Sequence, residues 1–373
     1  MTPSSPCTRR LRGEKIAYYV TAHGYGHGVR SCDIIRALNH LDPHRPVTII
    51  SDLAEDFFRN RLPGPSNTFR RGSLDVGMVQ LDSIRVDVAA SLLKAEDLFR
   101  RRPELIDRET AFLEQGGFGL VVADIPAIPL EAAARLDLPA IAVANFSWDW
   151  IYSAFVRAEP RWRPIVAAFA EGYSRASLLL RLPFAGEMSA FARIEDVPIL
   201  ASPGRAKRRE IADLAGCPAD ARWILLSFTS LEWSEDALDR VERMSDCRFF
   251  TVLPLTWNRR NIHSIDRESI PFADLMATVD AVISKPGYGI VSECIVNRKP
   301  LIYSDRSDFL EYAPLEAGVR TYLKHVHLPS GKLYSGDLRE AVDAVDNAPE
   351  PRQSLNAGGA DLAARRILDF LKP

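Results

Sequence analysis

Two glycine-rich turns hold the residues of this sequence that are best suited to chemistry. The first, "AHGYGHGVRS" (22–31), places His23 and His27 among three glycines. A strand-to-helix connection needs one glycine at most, so the others, Gly26 included, indicate a backbone that leaves room for a ligand. Because the pKa of an imidazole lies near neutral pH, His27 could act as a general base. The alternative is a ring that only hydrogen-bonds the turn, and it weighs more for His23.

An aspartate at the end of an apolar run is the expected partner of His27. Asp124 ends "LVVAD" (120–124), which is predicted to be a buried strand. Ligands of open α/β sheets bind at the carboxyl ends of the strands, so this carboxylate could orient the histidine and stabilise its charged form. The alternative for Asp124 is an N-cap of the following helix.

The second turn, "SKPGYGIVSE" (284–293), also enters a predicted helix. The backbone amides of Gly287, Tyr288 and Gly289 would form an anion site at the start of that helix. Glu293 lies about a turn and a half further, where its carboxylate can accept hydrogen bonds from ribose hydroxyls. Lys285 either supplies positive charge to a diphosphate or lies in solvent. Neither turn fits a Rossmann dinucleotide motif or an ATP-hydrolysing P-loop.

Alternating strands and helices must position these turns. From residue 15 onward, apolar runs typical of strands alternate with segments that have helical periodicity. The alternation starts again after residues 181–210, a segment rich in proline and charged residues. This alternation predicts an α/β protein with two Rossmann-like, doubly wound domains. The helix after the first turn is predicted over 30–41. The predicted units are a first domain over 15–190, a second over 197–350 and a C-terminal helix over 356–373 that packs on the body.

The composition of the 373 residues excludes several classes of protein. A net charge of −2 argues against nucleic-acid binding, which needs a clear basic excess. The five cysteines are scattered without a CxxC pair, which fits a reducing cytoplasm better than disulfides or a zinc site. The N-terminus lacks the apolar core of a signal peptide, and no run approaches about 18 apolar residues. We therefore expect a cytoplasmic protein without a transmembrane segment.

Three segments carry a family resemblance: "YYVTAHGYGHGVRS", "VVADIPAIPLEAAARLDLPAIAVANFSWDWIY" and "ISKPGYGIVSE". They resemble the amino-terminal, glycosyltransferase-like half of the plant L-arabinokinases, over about residues 15 to 325. More distantly, the chain is similar to GT-B glycosyltransferases that use sugar nucleotides, especially the peptidoglycan N-acetylglucosaminyltransferase. The resemblance implies two domains that face a cleft, an acceptor-side domain first and a nucleotide-sugar-binding domain second. It does not imply kinase activity, because the sequence has no GHMP-type phosphate loop.

The resemblance also implies roles for individual residues. His27 matches the catalytic base and Asp124 the aspartate that orients it. Glu293 matches the ribose-binding glutamate, and Glu311 lies where hydroxyls of the donor sugar are read. The other donor-binding positions contact the nucleotide through backbone or hydroxyl groups: Phe272 and Ala273 at uracil, Gly287, Tyr288 and Gly289 at the diphosphate, and Thr229 and Ser230 as substitutes for a glycine-serine phosphate loop.

The aromatic segment "FSWDWIY" (146–152) is predicted to follow a strand of the first domain near the cleft. Trp148 could stack on a sugar face and Asp149 could bind hydroxyls, which would place both on the acceptor side with His23 and Gly26. The alternative is an apolar plug between domains. The basic, aromatic stretch "RAEPRWRP" (157–164) leaves a peripheral membrane contact open beside the alternative of a solvated connection.

Together these features predict a transferase that moves a sugar from a nucleotide sugar, a UDP-sugar, to an acceptor hydroxyl. The expected reaction inverts the anomeric carbon and uses no metal or cofactor, because no DxD-type motif is convincingly placed. Two alternatives stay open. A sugar-nucleotide 2-epimerase would use further acidic residues, for which Asp305, Asp308 and Glu311 are candidates. A non-catalytic nucleotide-sugar-binding module is suggested by the altered loop "LSFTSLEW" (226–233) and by Pro286.

Overall fold

The computed structural model describes residues 13–82, 84–306 and 309–372. Its first sheet contains seven strands, all parallel, in the order β3-β2-β1-β6-β7-β8-β9. A separate antiparallel hairpin pairs β4 with β5. The strands are β1 (Lys15–Val20), β2 (Val47–Ser51), β3 (Asn67–Arg71), β4 (Val79–Gln80), β5 (Val86–Asp87), β6 (Phe118–Asp124), β7 (Ala140–Ala144), β8 (Leu178–Arg181) and β9 (Ile194–Asp196).

Helices cover both faces of this sheet, as is typical of parallel sheets whose central strands are buried on both faces. Every residue of β6 and β7 is buried. The helices of this domain are α1 (Tyr25–Leu41), α2 (Glu55–Arg59), α3 (Val88–Gly116), α4 (Ile128–Arg135), α5 (Trp148–Ser153) and α6 (Trp162–Ser174). Helix α1 begins five residues before the predicted start at 30. The glycines of the first turn are therefore part of the helix rather than of a loop that precedes it.

The second sheet is also parallel, with the strand order β12-β11-β10-β13-β14-β15. Its strands are β10 (Arg222–Ser227), β11 (Cys247–Val252), β12 (Ile262–Ile265), β13 (Ala281–Ser284), β14 (Leu301–Ser304) and β15 (His325–Leu328). The remaining helices are α7 (Arg208–Ala215), α8 (Glu235–Glu242), α9 (Phe272–Thr278), α10 (Tyr288–Val296), α11 (Tyr312–Tyr322), α12 (Ser330–Tyr334), α13 (Arg339–Val345) and α14 (Gly359–Asp369). The predicted class, two doubly wound α/β domains, is confirmed.

The last helix of the chain packs on the first domain. The first sheet continues to β9 at 194–196, beyond the predicted boundary at 190. Helix α14 packs against α1, and its residues Ala363 and Ile367 are fully buried in the core that α1 shares. Arg366 of α14 donates to Glu195 at 2.6 Å. The C-terminal helix therefore returns from the second domain to the first.

A hairpin of the first domain reaches across to the second. Ile84, in the β4–β5 connection, is 3% exposed and packs in the core of the second domain. The Tyr334 hydroxyl donates to Asp82 at 3.0 Å. These contacts tie the hairpin of the first domain to the second domain.

Candidate functional site

The first glycine turn forms an uncapped helix start that faces open space. Gly24 is the N-cap of α1, and no side chain accepts a hydrogen bond from the first turn of the helix. A Cβ placed on Gly24 or Gly26 would meet no atom within 4 Å, whereas one on Gly28 would lie 2.5 Å from the Phe57 ring. Packing within the chain therefore explains Gly28 but not Gly26. The free amides and the helix dipole favour a polar or anionic ligand at this position.

His27 and Asp124 are brought together at the carboxyl edge of the first sheet. Strands β1 and β6 pair with Val20 opposite Asp124, and α1 starts directly above them. The Nδ1 atom of His27 lies 2.8 Å from Oδ1 of Asp124, and both side chains are buried. With Asp124 ionised, its Oδ1 accepts from a ring proton on Nδ1, and Nη2 of Arg30, which lies 3.0 Å from that nitrogen, donates to Oδ1 rather than to the ring. Nε2 of His27 is then the nitrogen with a lone pair available for base catalysis.

Arg30 keeps Asp124 ionised. Its Nε donates to Oδ2 of Asp124 at 2.7 Å and its Nη2 to Oδ1 at 2.6 Å, a bidentate pair, and Ser31 donates to Oδ2 at 3.1 Å. Burial by itself would raise the pKa of Asp124, but Arg30 and His27 hold it well below its usual value. Since the carboxylate is charged and fully paired, it can orient His27 and stabilise an imidazolium.

The same guanidinium links the base to the second domain. Nη1 of Arg30 donates to the Asn145 side-chain oxygen at 2.8 Å, and Nδ2 of Asn145 donates to Oε1 of Glu311 at 2.7 Å. The guanidinium also lies 5.3 Å from the centre of the Tyr288 ring. Glu311, predicted to read the donor sugar, is 7% exposed and uses one carboxylate oxygen for this contact across the cleft.

Sequence reasoning missed Arg30 and Asn145. A signal for Arg30 was present, because it follows His27 by three residues and therefore shares its face of the helix. That face is otherwise apolar and buried, and a buried arginine needs a carboxylate partner. Asn145 follows directly after β7, at the same sheet edge as Asp124.

His23 and Trp148 belong to a second buried cluster beside this one. The two rings meet edge to face with centroids 5.0 Å apart, and Trp148 Nε1 donates to Asp75 at 2.9 Å. The Met78 amide donates to Nδ1 of His23 at 3.3 Å. Burial, together with His27 and with the cations Arg306 and Lys285, lowers the pKa of His23 to about 3. His23 is thus neutral, with its proton on Nε2.

The structure leaves the Trp148 ring no exposed surface. Its exposed fraction is 0%, and it packs against Phe146 and the stacked ring of Tyr152. Its ring contacts with His23, Phe146 and Tyr152 lie in the first domain, and the same core cluster also contains Phe309 of the second domain. Its neighbour Asp149 is half-buried, and burial raises the pKa of its carboxyl group.

The second glycine turn repeats the open helix start. Gly287 is the N-cap of α10 without a side-chain cap, and a Cβ on Gly287 or Gly289 would meet no atom within 4 Å. Glu293 lies further along α10, and its Oε2 atom is buried without a hydrogen-bond partner. Burial raises the pKa of Glu293 to about 8; Asp33 of the first domain adds to this effect and Arg267 opposes it.

The remaining predicted donor residues surround this turn. Thr229 and Ser230 are exposed in the loop after β10, whose last residue pairs with the last residue of β13. Phe272 begins α9, and its ring lies 5.6 Å from the Arg267 guanidinium. The Ala273 carbonyl packs against the backbone at Gly204. A Cβ added to Gly204 would lie 1.9 Å from the carbonyl oxygen of Ala273. Along the chain, these predicted donor residues follow the carboxyl ends of β10 and β12.

Neither a metal-binding cluster nor a membrane-spanning helix is present in the part of the chain that the structure describes. Over 13–82, 84–306 and 309–372, no group of three or more histidine, cysteine, aspartate or glutamate side chains could hold a metal ion. In the same part of the chain, no helix is long and apolar enough to cross a membrane.

Comparison with known proteins identifies the fold. No family model matches the chain. The L-arabinokinase of Arabidopsis thaliana is 31% identical over 349 residues, which are 92% of this chain but 33% of that protein. The chain thus spans about a third of the length of this curated relative.

Solved structures match nearly the whole chain. The calicheamicin glycosyltransferase CalG4 has a TM-score of 0.59 at 17% identity, with 97% of this chain and 94% of that chain covered. UGT89C1 of Arabidopsis thaliana complexed with UDP-L-rhamnose has a TM-score of 0.59 at 13% identity, with 96% and 100% covered. The spinosyn rhamnosyltransferase SpnG has a TM-score of 0.59 at 13% identity, with 96% of each chain covered. The protein therefore has the GT-B fold.

Proposed function

We propose that this protein is a glycosyltransferase that moves a sugar from a UDP-sugar to an acceptor hydroxyl with inversion and without a metal or cofactor. The observation that carries the proposal is the pairing of His27 with a buried, ionised Asp124 at one wall of a cleft. The opposite wall presents the open helix start of α10 and the unpartnered carboxylate oxygen of Glu293. One wall suits proton abstraction and the other suits a nucleoside diphosphate.

In the proposed reaction, Nε2 of His27 removes the proton of the acceptor hydroxyl as its oxygen attacks the anomeric carbon. The imidazolium that forms is stabilised by Asp124, which Arg30 holds in place. The diphosphate leaves on the opposite side of the sugar, so the anomeric configuration inverts. The amides of Gly287, Tyr288 and Gly289 would stabilise the charge that develops on the leaving group.

The other roles follow from position in the cleft. Glu293 would bind the ribose hydroxyls, which would supply the hydrogen bonds that its Oε2 lacks. The backbone at Phe272 and Ala273 would contact uracil, Thr229 and Ser230 the phosphates, and Glu311 the donor sugar. On the acceptor side, Gly26 would provide clearance and Asp149 a hydroxyl contact, while His23 and Trp148 would shape the turn.

The epimerase alternative receives less support. It needs acidic groups that reach the donor sugar, but the Asp305 carboxylate contacts Nε2 of His327 and accepts from the Ser330 amide at 2.9 Å. Glu311 has one oxygen bonded to Asn145. The third candidate, Asp308, lies outside the described residues.

The proposed donor site predicts stabilisation by UDP, because a ligand that binds only the native state raises its stability by mass action. Thermal unfolding with UDP, UDP-sugars, ATP and NAD measures this effect. Glu293→Ala should weaken stabilisation by UDP by about 1–3 kcal/mol through the loss of the hydrogen bonds to the ribose. Glu210→Ala, on the exposed surface of α7, is the matched control.

Three outcomes contradict the proposal or part of it. Stabilisation by ATP or NAD in place of UDP refutes the donor assignment. If UDP stabilises Glu293→Ala and the unsubstituted protein equally, Glu293 does not bind the ribose. Binding of UDP-sugars without turnover over a broad panel of acceptors favours the non-catalytic module.

A further inference from the structure

Two cationic side chains lie in the cleft with no assigned role in the transfer step. Lys285 follows directly after β13, and Arg306 lies two residues after the end of β14. These strands are parallel neighbours, with Ser284 opposite Tyr303, so both side chains start from the same sheet edge. They are close to one another: burial lowers the pKa of Lys285 to about 7, and the charge of Arg306 contributes to this shift.

Neither cation has a counter-ion within the described ranges. No carboxylate there lies within the 4.0 Å of an ion pair from either side chain, and Nε of Arg306 is buried without a hydrogen-bond partner. The guanidinium stacks on Phe309, 3.7 Å from the ring centre. Glu311 and, for Lys285, Asp82 act on these charges only at longer range. A partly buried guanidinium without an anion is unfavourable, because it loses hydration without replacement.

The positions of the two cations differ along the proposed donor. Lys285 lies two residues before Gly287, the N-cap of α10, and would therefore lie beside the proposed diphosphate site. Arg306 follows β14, five residues before Glu311, the residue assigned to the donor sugar. The charges of both side chains also help to lower the pKa of the His23 ring in the first domain. In the proposed complex, Arg306 would thus be on the sugar side of the diphosphate.

A neutral hexose offers only hydroxyl groups to such a guanidinium. A carboxylate instead matches the planar fork of arginine and accepts two parallel hydrogen bonds. On the basis of the proposed nucleotide-sugar function, we infer that the donor sugar itself carries a carboxylate, as in a nucleotide uronic acid, which Arg306 binds while Lys285 neutralises the diphosphate.

The experiment measures dissociation constants of UDP, UDP-glucose and UDP-glucuronic acid by calorimetry. The unsubstituted protein should bind UDP-glucuronic acid about tenfold or more tightly than UDP-glucose, as expected for charge-assisted hydrogen bonds. Arg306→Gln should abolish this preference and change the affinity for UDP by less than about twofold. Lys285→Gln should weaken all three ligands alike, because the diphosphate is common to them.

Two further variants make the result specific. Arg209→Gln removes one charge from the exposed surface of α7 and should behave as the unsubstituted protein. Arg306→Lys keeps the charge but loses the fork, so it should retain only part of the preference and serves as the readout if Arg306→Gln does not fold.

Different results overturn different claims. Equal affinity of the unsubstituted protein for UDP-glucose and UDP-glucuronic acid overturns the inference and leaves the proposed function standing. The inference is also overturned if Arg306→Gln weakens UDP as much as UDP-glucuronic acid, since Arg306 then serves the diphosphate. If UDP itself does not bind, the proposed function and the inference that rests on it both fail.

Discussion

The two glycine turns share a backbone design but differ in how their charges are paired. Each turn runs from a parallel strand into an uncapped helix, with Gly24 or Gly287 as the N-cap in an extended conformation. Around the first turn, Asp124 is paired with both His27 and Arg30 at hydrogen-bond distance. Around the second, Glu293 keeps a buried carboxylate oxygen without a partner. The cations Lys285 and Arg306 beside it have no ion-pair partner among the described residues.

This difference in pairing matches two different proposed tasks. His27 must be held in position as a base, whereas Glu293, Lys285 and Arg306 must bind a ligand. A fully paired network holds a base at a fixed angle, and it needs no reorganisation when charge develops on the imidazole. Buried polar groups without partners are costly in the free protein, and a ligand that supplies the missing partners recovers that free energy on binding. The charged groups of the first wall are thus paired in the free protein, whereas those of the second would find their partners on the proposed nucleotide sugar.

The largest expected effect comes from removing the base at the paired turn. His27→Ala should lower turnover by about 10²–10⁴-fold, the usual contribution of a positioned proton acceptor. Affinity for UDP should stay within about twofold, because the proposed nucleotide contacts lie on the other domain. Calorimetry with UDP and a glycosyl-transfer assay check the two parts.

His23→Ala is the matched control for this test. Its ring is neutral and packs on Trp148, so its removal should cost less turnover than that of His27. Full turnover by His27→Ala would show that the first turn is structural and would end the comparison.

A smaller effect should appear at the unpaired turn as a pH dependence of stability. The pKa of Glu293 is raised from 4.5 to about 8 in the folded protein, so between these values the folded state holds a proton that the unfolded state releases. The stability contributed by Glu293 is complete below pH 4.5 and is lost as the pH rises through 8. Glu293→Gln, which stays neutral, should therefore be more stable than the unsubstituted protein at pH 9 by about 1–3 kcal/mol and nearly equal to it at pH 5.

Urea unfolding at pH 5, 7 and 9 measures this difference. Glu210→Gln, at an exposed site on α7, should show the same stability difference from the unsubstituted protein at each pH. A difference for Glu293→Gln that does not change with pH would mean that the Glu293 carboxylate is already paired in the free protein.

The smallest effect concerns the glycines of the first turn. Gly26→Ala places a methyl group in open space within a helix, so stability should stay the same or rise by up to about 1 kcal/mol, while acceptor-dependent turnover should fall. Gly28→Ala directs its methyl group at Phe57 and Leu53 and should lower stability. Thermal unfolding of both variants distinguishes the two roles. A loss of stability indicates a glycine required for packing, and unchanged stability with lower turnover indicates a glycine that leaves room for a ligand. If turnover is unchanged in Gly26→Ala, the absence of a side chain at position 26 is not needed to make room for the acceptor.

Much of the fold could be predicted because its signals are local. Apolar runs of five to seven residues such as β6 and β7 mark buried parallel strands, and the helical spacing of Ile34, Ile35 and Leu38 marks the buried face of α1. The start of α1 was predicted too late, because three glycines within five residues suggest a loop. Here Gly24 is extended and ends the loop, and Gly26 and Gly28 lie within the helix that starts at Tyr25.

What the sequence by itself determined is the set of elements, the two open helix starts and the strand ends at which polar residues collect, because each depends on neighbours within a few residues. Asp124 was the expected partner of His27 from its place at a strand end, but only the tertiary structure decided the rest of the network. The bidentate pair of Arg30 with Asp124 and the contact of Asn145 with Glu311 join residues 94 and 166 positions apart in the chain. Sheet register and domain packing bring such residues within hydrogen-bond distance, and the same packing leaves Oε2 of Glu293 and Nε of Arg306 buried without partners. Pairing and burial are properties of the assembled core, and no local pattern encodes them.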